Sequence, residues 1–230
     1  MHDGGRASSP MFDAAIFDMD GLLLDSERPI RAAWLAAAAA RGIALSIDDY
    51  QSVIGTSATE SRRRLGALLG GDDIYATLHA DAAHALRDAA FPPKPGALRL
   101  LGLLRERGVA TAVASSTVRR EVARRLDVAG LGRYVESVTG GDEVAAGRGK
   151  PHPDLYWLAA ERIRKPPSRC IVFEDSEPGA LAALAAGMQV VVVPDLKAPP
   201  ETVCRAALHV LDSLESGLGH CATWFGCSGK

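Results

Sequence analysis

No apolar run among the 230 residues approaches the roughly 20 that a membrane-spanning helix requires. The first ten residues, MHDGGRASSP, hold no apolar stretch of the kind found in a secretory signal, and they read as a mobile start. Neither sign of charge is in excess. The chain has 26 Lys and Arg against 28 Asp and Glu, a formal net charge of -2. That balance creates no long-range field for nucleic acid or an anionic membrane, so neither is expected as a partner. A small anion remains open, because local charges can bind it. Cysteine is scarce, with four residues. Cys170 opens an apolar run and reads as a small core residue. Cys221 and Cys227 lie in the Gly-rich tail GHCATWFGCSGK and read as surface thiols, since two cysteines alone do not make a zinc site. These absences together lead to the expectation of a cytoplasmic protein. There is no internal repeat, and a monomer is the default expectation.

What is present is 47% hydrophobic and 23% charged residues, enough for one full core and a smaller module. Four predominantly apolar runs read as strands buried on both faces of a parallel sheet: residues 14–17, 109–114, 171–173 and 189–193. Helical segments separate them, over residues 97–107, 118–126, 154–164 and 177–186, with Gly108, Gly130 and Gly187 at or past their ends. Strands alternating with helices predict a doubly wound, Rossmann-like α/β sheet. Residues 27–91 break the alternation. They carry Ala-rich helical stretches, at 31–41 and 59–69, and no β-branched run, and they return through Phe91-Pro92-Pro93-Lys94-Pro95-Gly96. The expected organisation is a core of residues 11–26 and 92–215, an inserted helical cap at 27–91, and flexible termini at 1–10 and 216–230.

The polar residues that follow the apolar runs carry the chemistry. Asp18-Met19-Asp20-Gly21 ends the first run, at the edge of the sheet where ligands bind in open α/β folds. Gly21 permits a sharp backbone turn there. Ser115-Ser116-Thr117 ends the second and offers hydroxyl and N–H groups that can hold phosphate oxygens. Lys150 precedes two prolines in Gly149-Lys150-Pro151-His152-Pro153, so a positive charge sits on stiff backbone. Glu174-Asp175-Ser176 ends another strand, with carboxylates suited to Mg2+. Singly, each has a bland reading: an acidic turn, a helix cap, a surface lysine, acids beside a helix dipole. Parallel strands bring these ends to one edge, and together they make a nucleophile, a metal site, a fixed cation and oxygen-binding donors. Those are the parts that phosphoryl transfer needs.

The segments FDMDGLLLDSE, VASS, GKPHPD and FEDSEPG, taken in order, resemble the four motifs of the haloacid dehalogenase superfamily. The helical insert after the first motif is similar to the cap of its β-phosphoglucomutase-like branch. IFDMDGLLLDSER and LAAGMQVVVVP look most like the pseudouridine-5'-phosphatase and sugar-phosphate phosphatases of that branch. The resemblance implies a Mg2+-dependent phosphatase acting on a small phosphorylated metabolite. It makes Asp18 the nucleophile and Asp20 the general acid and base. Ser115 and Ser116 would bind phosphate, and Lys150 would neutralise phosphoryl oxygens and hold Asp18 ionised. The metal would be held by Asp18, the backbone carbonyl of Asp20, and Asp175, with Glu174 a further partner. With an ordinary pKa of about 3.9, Asp18 is expected to be a carboxylate at neutral pH unaided.

Other chemistries in that superfamily fit less well. Dehalogenases lack the acid that Asp20 supplies, and the cap has no lysine for the imine of a phosphonatase. A mutase of the β-phosphoglucomutase kind carries a histidine and an arginine where this chain has Ile30 and Ala58, which favours water as the acceptor. A non-catalytic phospho-acceptor such as a receiver domain is shorter and carries its aspartate on a middle strand. In the cap, Arg62-Arg63-Arg64 reads as a solvated face from which one residue could reach the cleft. His79 and His84 read as structural or exposed, and Trp34 as core. Hinges are expected at residues 24–27 and 91–96.

Overall fold

The computed structural model describes residues 10–226. The chain opens with β1 (Ala14–Phe17), then four helices: α1 (Glu27–Ala40), α2 (Ile47–Gln51), α3 (Ala58–Leu69) and α4 (Asp72–Ala85). Next come α5 (Ala97–Glu106), β2 (Ala110–Ser115), α6 (Arg119–Val128), β3 (Ser137–Gly140) and α7 (Asp154–Arg162). The chain continues through β4 (Cys170–Glu174), α8 (Glu177–Ala185), β5 (Gln189–Val192), α9 (Glu201–Ala206) and β6 (His209–Val210). It ends in α10 (Leu214–Gly217) and α11 (Cys221–Phe225).

The six strands form one parallel sheet in the order β3-β2-β1-β4-β5-β6. The strand order reverses beside β1, so a crevice opens at the carboxyl ends of β1 and β4, where ligands bind in such folds. Alternate residues of β1 face opposite layers. Ala15 and Phe17 pack with Leu100, Leu104, Val122 and Phe173, and Ala14 and Ile16 pack with Tyr156, Ala159, Val172 and Ala183. All four are buried, which is why the strand reads as continuously apolar rather than alternating. Phe17 and Phe173 stack at 4.8 Å directly beneath the carboxyl edge.

The inserted helices have an apolar cluster of their own around Trp34, Tyr50, Leu65 and Leu78, so Trp34 is core as expected. Where the insert leaves and rejoins the sheet, the two crossings run side by side. Asp25 N–H donates to Pro92 O at 2.9 Å, and Lys94 N–H to Leu23 O at 2.9 Å. Asp195, in the loop after β5, accepts from Lys94 on the return crossing (2.5 Å) and from Arg28 in the first turn of α1 (3.3 Å).

The C-terminal segment corrects the expected flexible terminus at 216–230. Cys221, Trp224 and Phe225 are buried and belong to the main core, with Trp224 edge-on to Phe173 at 5.7 Å. The backbone joins in, as Phe12 N–H donates to Trp224 O at 2.9 Å. Cys221 is therefore a core residue and not a surface thiol; Trp224 and Phe225, three and four positions on, share its helical face, and the surrounding glycines disguise that in the sequence. Cys227 and the reading of 1–9 as a mobile start lie outside the described residues.

β3 is fastened to α7 by one ion pair. The Arg162 guanidinium binds both oxygens of Glu143 at 2.8 and 2.6 Å, and also donates to Val138 O at 2.8 Å. Gly140 N–H donates to the same carboxylate at 2.9 Å. The hydrogen bond from Arg162, helped by the one from Gly140, holds the Glu143 carboxyl down at about 2, against an ordinary 4.5. A carboxyl depressed on folding contributes stability above its unfolded value and loses it as pH falls through the folded one. Glu143→Gln is expected to lower stability at pH 7 by about 2 kcal/mol. In denaturant unfolding, the gap from the parent should close as pH drops from 4.5 towards 2. A gap independent of pH across that range would contradict the assignment.

Candidate active site

The register of β1 against β4, with Phe17 opposite Phe173, puts Asp18 and Glu174 side by side where the two strands end. Asp18 N–H still donates to Phe173 O at 3.0 Å, so the nucleophile candidate is fixed by the last rung of the ladder. Beyond it the chain turns at Gly21, whose φ is +85°. A Cβ at this position would collide with the Asp175 carboxylate, so glycine is required both for the turn and for the approach of the two acidic loops.

Lys150 reaches the same point from the loop before α7. Its ammonium donates to Asp18 Oδ1 at 2.5 Å, Glu174 Oε1 at 2.6 Å and Ala114 O at 3.2 Å, and lies 5.1 Å from the centre of the Tyr156 ring. The three N–H bonds of the ammonium are thus all engaged by the protein. The Lys150 side chain is 6% exposed, and its two carboxylate partners hold it charged, well above its ordinary pKa, against the opposing effect of burial.

Glu174 is fully buried and saturated with donors. Besides Lys150, Tyr156 Oη–H donates to Oε1 at 2.6 Å, and Asp175 N–H, Ser176 N–H and Ser176 Oγ–H converge on Oε2 at 3.1, 3.2 and 3.0 Å. Burial opposes ionisation of Glu174, but Lys150 and these donors outweigh it and keep the carboxyl low. Ser176 also caps α8, accepting from Gly179 N–H at 3.3 Å, so the helix start and the Glu174 carboxylate are locked together. The sequence reading counts Glu174 among metal ligands. Its five donors make it the anchor of Lys150, with little lone-pair capacity left for a cation.

Asp18, Glu174 and Asp175 can each offer an oxygen within 4.8 Å of the others. One ammonium among three carboxylates leaves two negative charges uncompensated if all ionise. The consequence corrects the expectation that Asp18 is a carboxylate unaided. Burial pushes Asp18 up to about 8 despite Lys150, with Glu174 adding to the rise. Burial raises Asp175 as well, joined by Glu174 and Asp18. A divalent cation between Asp18 and Asp175 would supply the missing charge, so the residues present fit a bound Mg2+.

Asp20 is placed apart from that trio by its side chain. Oδ2 accepts from Thr117 Oγ1 at 2.9 Å and Oδ1 from Arg125 Nη1 at 2.9 Å. Ser115 is 2% exposed, and its Oγ accepts from Thr117 N–H at 3.1 Å. Both serines border the acidic centre, which opens into a cleft of about 760 Å3. The cap contributes Glu27, Ile30, Thr56, Ser57 and Thr59 to the cleft, facing Asp20, Lys150 and His152. No protein donor reaches the Glu27 carboxylate among the described residues. Burial, with Asp20 and Asp195 nearby, pushes it up to about 7.

The arginine run does not enter the cleft. Arg62 pairs with Asp72, and Arg63 and Arg64 with Glu60, all on exposed helix faces. His79 stacks on Tyr75 and tilts against Trp34, a structural role. Sequence reasoning counted Thr117 among phosphate-binding donors rather than as a partner of Asp20, and it missed Arg125, Tyr156 and the cap hydroxyls. Of these, only Thr56 and Ser57 had a visible signal, a polar Gly-Thr-Ser turn inside an Ala-rich module.

Residues 12–187 match the family model described as haloacid dehalogenase-like hydrolase. A phosphorylated carbohydrates phosphatase of Thermotoga maritima is 31% identical over 183 residues, covering 77% of this chain and 82% of that one. A probable pseudouridine-5'-phosphatase of Drosophila melanogaster is 34% identical, covering 86% and 88%. The crystal structure of a hydrolase of this family from Deinococcus radiodurans, with bound phosphate and sodium, superposes with a TM-score of 0.75 at 31% identity, over 96% of this chain and all of that one. The chain belongs to the haloacid dehalogenase-like hydrolase family.

Proposed function

We propose that this protein is a Mg2+-dependent phosphatase that hydrolyses a small phosphate monoester, such as a sugar phosphate, through a phosphorylated Asp18. The observation that carries the reading is the Lys150 ammonium seated between Asp18 and Glu174 at the crevice of the sheet. The names of relatives that act on phosphorylated carbohydrates and pseudouridine 5'-phosphate support the substrate class.

Lys150 occupies Oδ1 of Asp18 and leaves Oδ2 free of protein donors among the described residues. Oδ2 attacks phosphorus, the bond from phosphorus to the leaving oxygen breaks, and Asp20 gives that oxygen a proton. Water then attacks the phosphorus of the aspartyl-phosphate while Asp20 takes its proton, which returns Asp18 and releases inorganic phosphate. Mg2+, held by Asp18, Asp175 and the Asp20 carbonyl, would supply charge for the phosphoryl oxygens. Ser115 Oγ–H and the Ser116 backbone would donate to the same oxygens, a role supported by their lining the pocket beside Asp18 and Lys150. Lys150 reaches a phosphoryl oxygen by giving up its longest bond, to Ala114 O.

The cap wall supports water over a sugar phosphate as the final acceptor. Ile30 lines the cleft where a mutase of the β-phosphoglucomutase kind carries a polar group, and the remaining cap side chains are hydroxyls and Glu27. Those groups suit the hydroxyls of an uncharged sugar.

Phosphate release from sugar monophosphates is expected with Mg2+ and should stop with EDTA. Given β-glucose 1-phosphate, the protein should yield free phosphate rather than glucose 6-phosphate; accumulation of the 6-phosphate would identify a mutase. Asp18→Asn is expected to bring turnover to background, and near-normal activity in that variant would sink the mechanism. Asp20→Asn should cost about 10²–10⁴-fold in kcat/KM on an alkyl phosphate. A loss under threefold would remove Asp20 from the acid role.

A further inference from the structure

Arg125 lies on α6, outside every sequence motif, and its guanidinium is held on three sides, by two groups distant along the chain and by one a helical turn away. Nη1 donates to Asp20 Oδ1 at 2.9 Å, Nε donates to Glu121 Oε1 at 2.8 Å, and the Phe91 ring covers one face with its centre 4.9 Å from Cζ. Glu121 is itself fixed by Arg124 through two bonds of 2.9 and 2.7 Å. Phe91 is 3% exposed and stands where the insert returns to the core. The Arg125 side chain is 12% exposed and that of Asp20 18%, so the pair is shielded from bulk water. An ion pair so enclosed has a defined geometry, unlike an exposed pair that samples many.

Thr117 takes the other oxygen of the same carboxylate. The Asp20 carboxylate is therefore held at two points, with its plane set, at the edge of the cleft. We propose that Arg125 is the positioning residue for Asp20, aiming it at the leaving-group oxygen through a guanidinium that Glu121 and Phe91 hold in place. The inference rests on the phosphatase reading above. A bidentate-capable, planar donor is needed because a proton must be delivered to one oxygen of the ester along one direction, and a misplacement of about 1 Å can cost about 10²-fold.

The leaving group separates this role from a merely structural one. An alkoxide must be protonated as it departs, whereas p-nitrophenolate is stable as an anion and leaves without an acid. kcat/KM reports only the steps up to departure of the leaving group, so later hydrolysis of the aspartyl-phosphate does not enter. Arg125→Gln is expected to lower kcat/KM on an alkyl monophosphate by about 10- to 100-fold, while that on p-nitrophenyl phosphate stays within threefold. Arg125→Lys, which keeps the charge but loses the planar fork, should show a smaller selective loss. In an Asp20→Asn background, Arg125→Gln should cost nothing further on the alkyl ester.

Equal losses on both esters, or no loss on either, would overturn the role of Arg125 while leaving the phosphatase reading intact. So would a further loss in the Asp20→Asn background. Should Arg125→Gln fail to fold, the ratio of the two esters in Arg125→Lys decides by the same criterion. A parent protein that releases phosphate from neither ester would overturn the phosphatase reading and this inference together.

Discussion

Lys150 carries a positive charge to a nearly buried point at the base of the cleft, and an unpaired ammonium there would cost several kcal/mol. The surrounding structure is arranged to compensate it. Asp18 ends β1, Glu174 ends β4, and the Ala114 carbonyl lies near the end of β2, so three strands each supply one acceptor. Removing either carboxylate would strand the lysine, and removing the lysine would leave two buried acids facing each other. The arrangement therefore ties the architecture of the sheet to the chemistry at its edge. It also explains the division between the two acids of the β4 end. Glu174, satisfied by five donors, serves the lysine, and Asp175, pushed towards its neutral form by burial and by its acidic neighbours, is left in need of a cation.

The parts of the fold that could be read from the sequence are those buried on both faces. β1, β2, β4 and β5 are predominantly apolar because helices cover both sides of the sheet there. β3 and β6 were not legible. The first is Ser-Val-Thr-Gly and the second only His-Val, and both lie at the margins of the sheet, where one side of each strand has no partner and apolar periodicity is weak. α4 went unread for another reason, since its polar and alanine residues carry only a shallow apolar stripe, at Leu78 and Ala82. The C-terminal helix was hidden by glycines on either side of Trp224 and Phe225.

The site divides in the same way. Acids that end strands could be found because topology sends those ends to one edge. The ionisation of Asp18 could not, because burial is a property of packing and not of residue type. Thr117, Tyr156 and Arg125 are ordinary residues until the fold places them: Arg125 meets Asp20 across 105 positions of sequence. Such contacts leave no local pattern, so a motif shows the reacting groups and omits what aims them.

The insert enters and leaves the core through two crossings that are hydrogen-bonded to each other, from Asp25 to Pro92 and from Lys94 to Leu23. To the sheet, the whole excursion has the footprint of a hairpin, whatever lies at its far end. A chain built this way can lengthen, shorten or repack its helices without moving β1 or the acids that follow it. Over evolutionary time the reacting centre and the groups that choose the substrate are then free to change at different rates, and one catalytic edge can be inherited by descendants that recognise unrelated molecules.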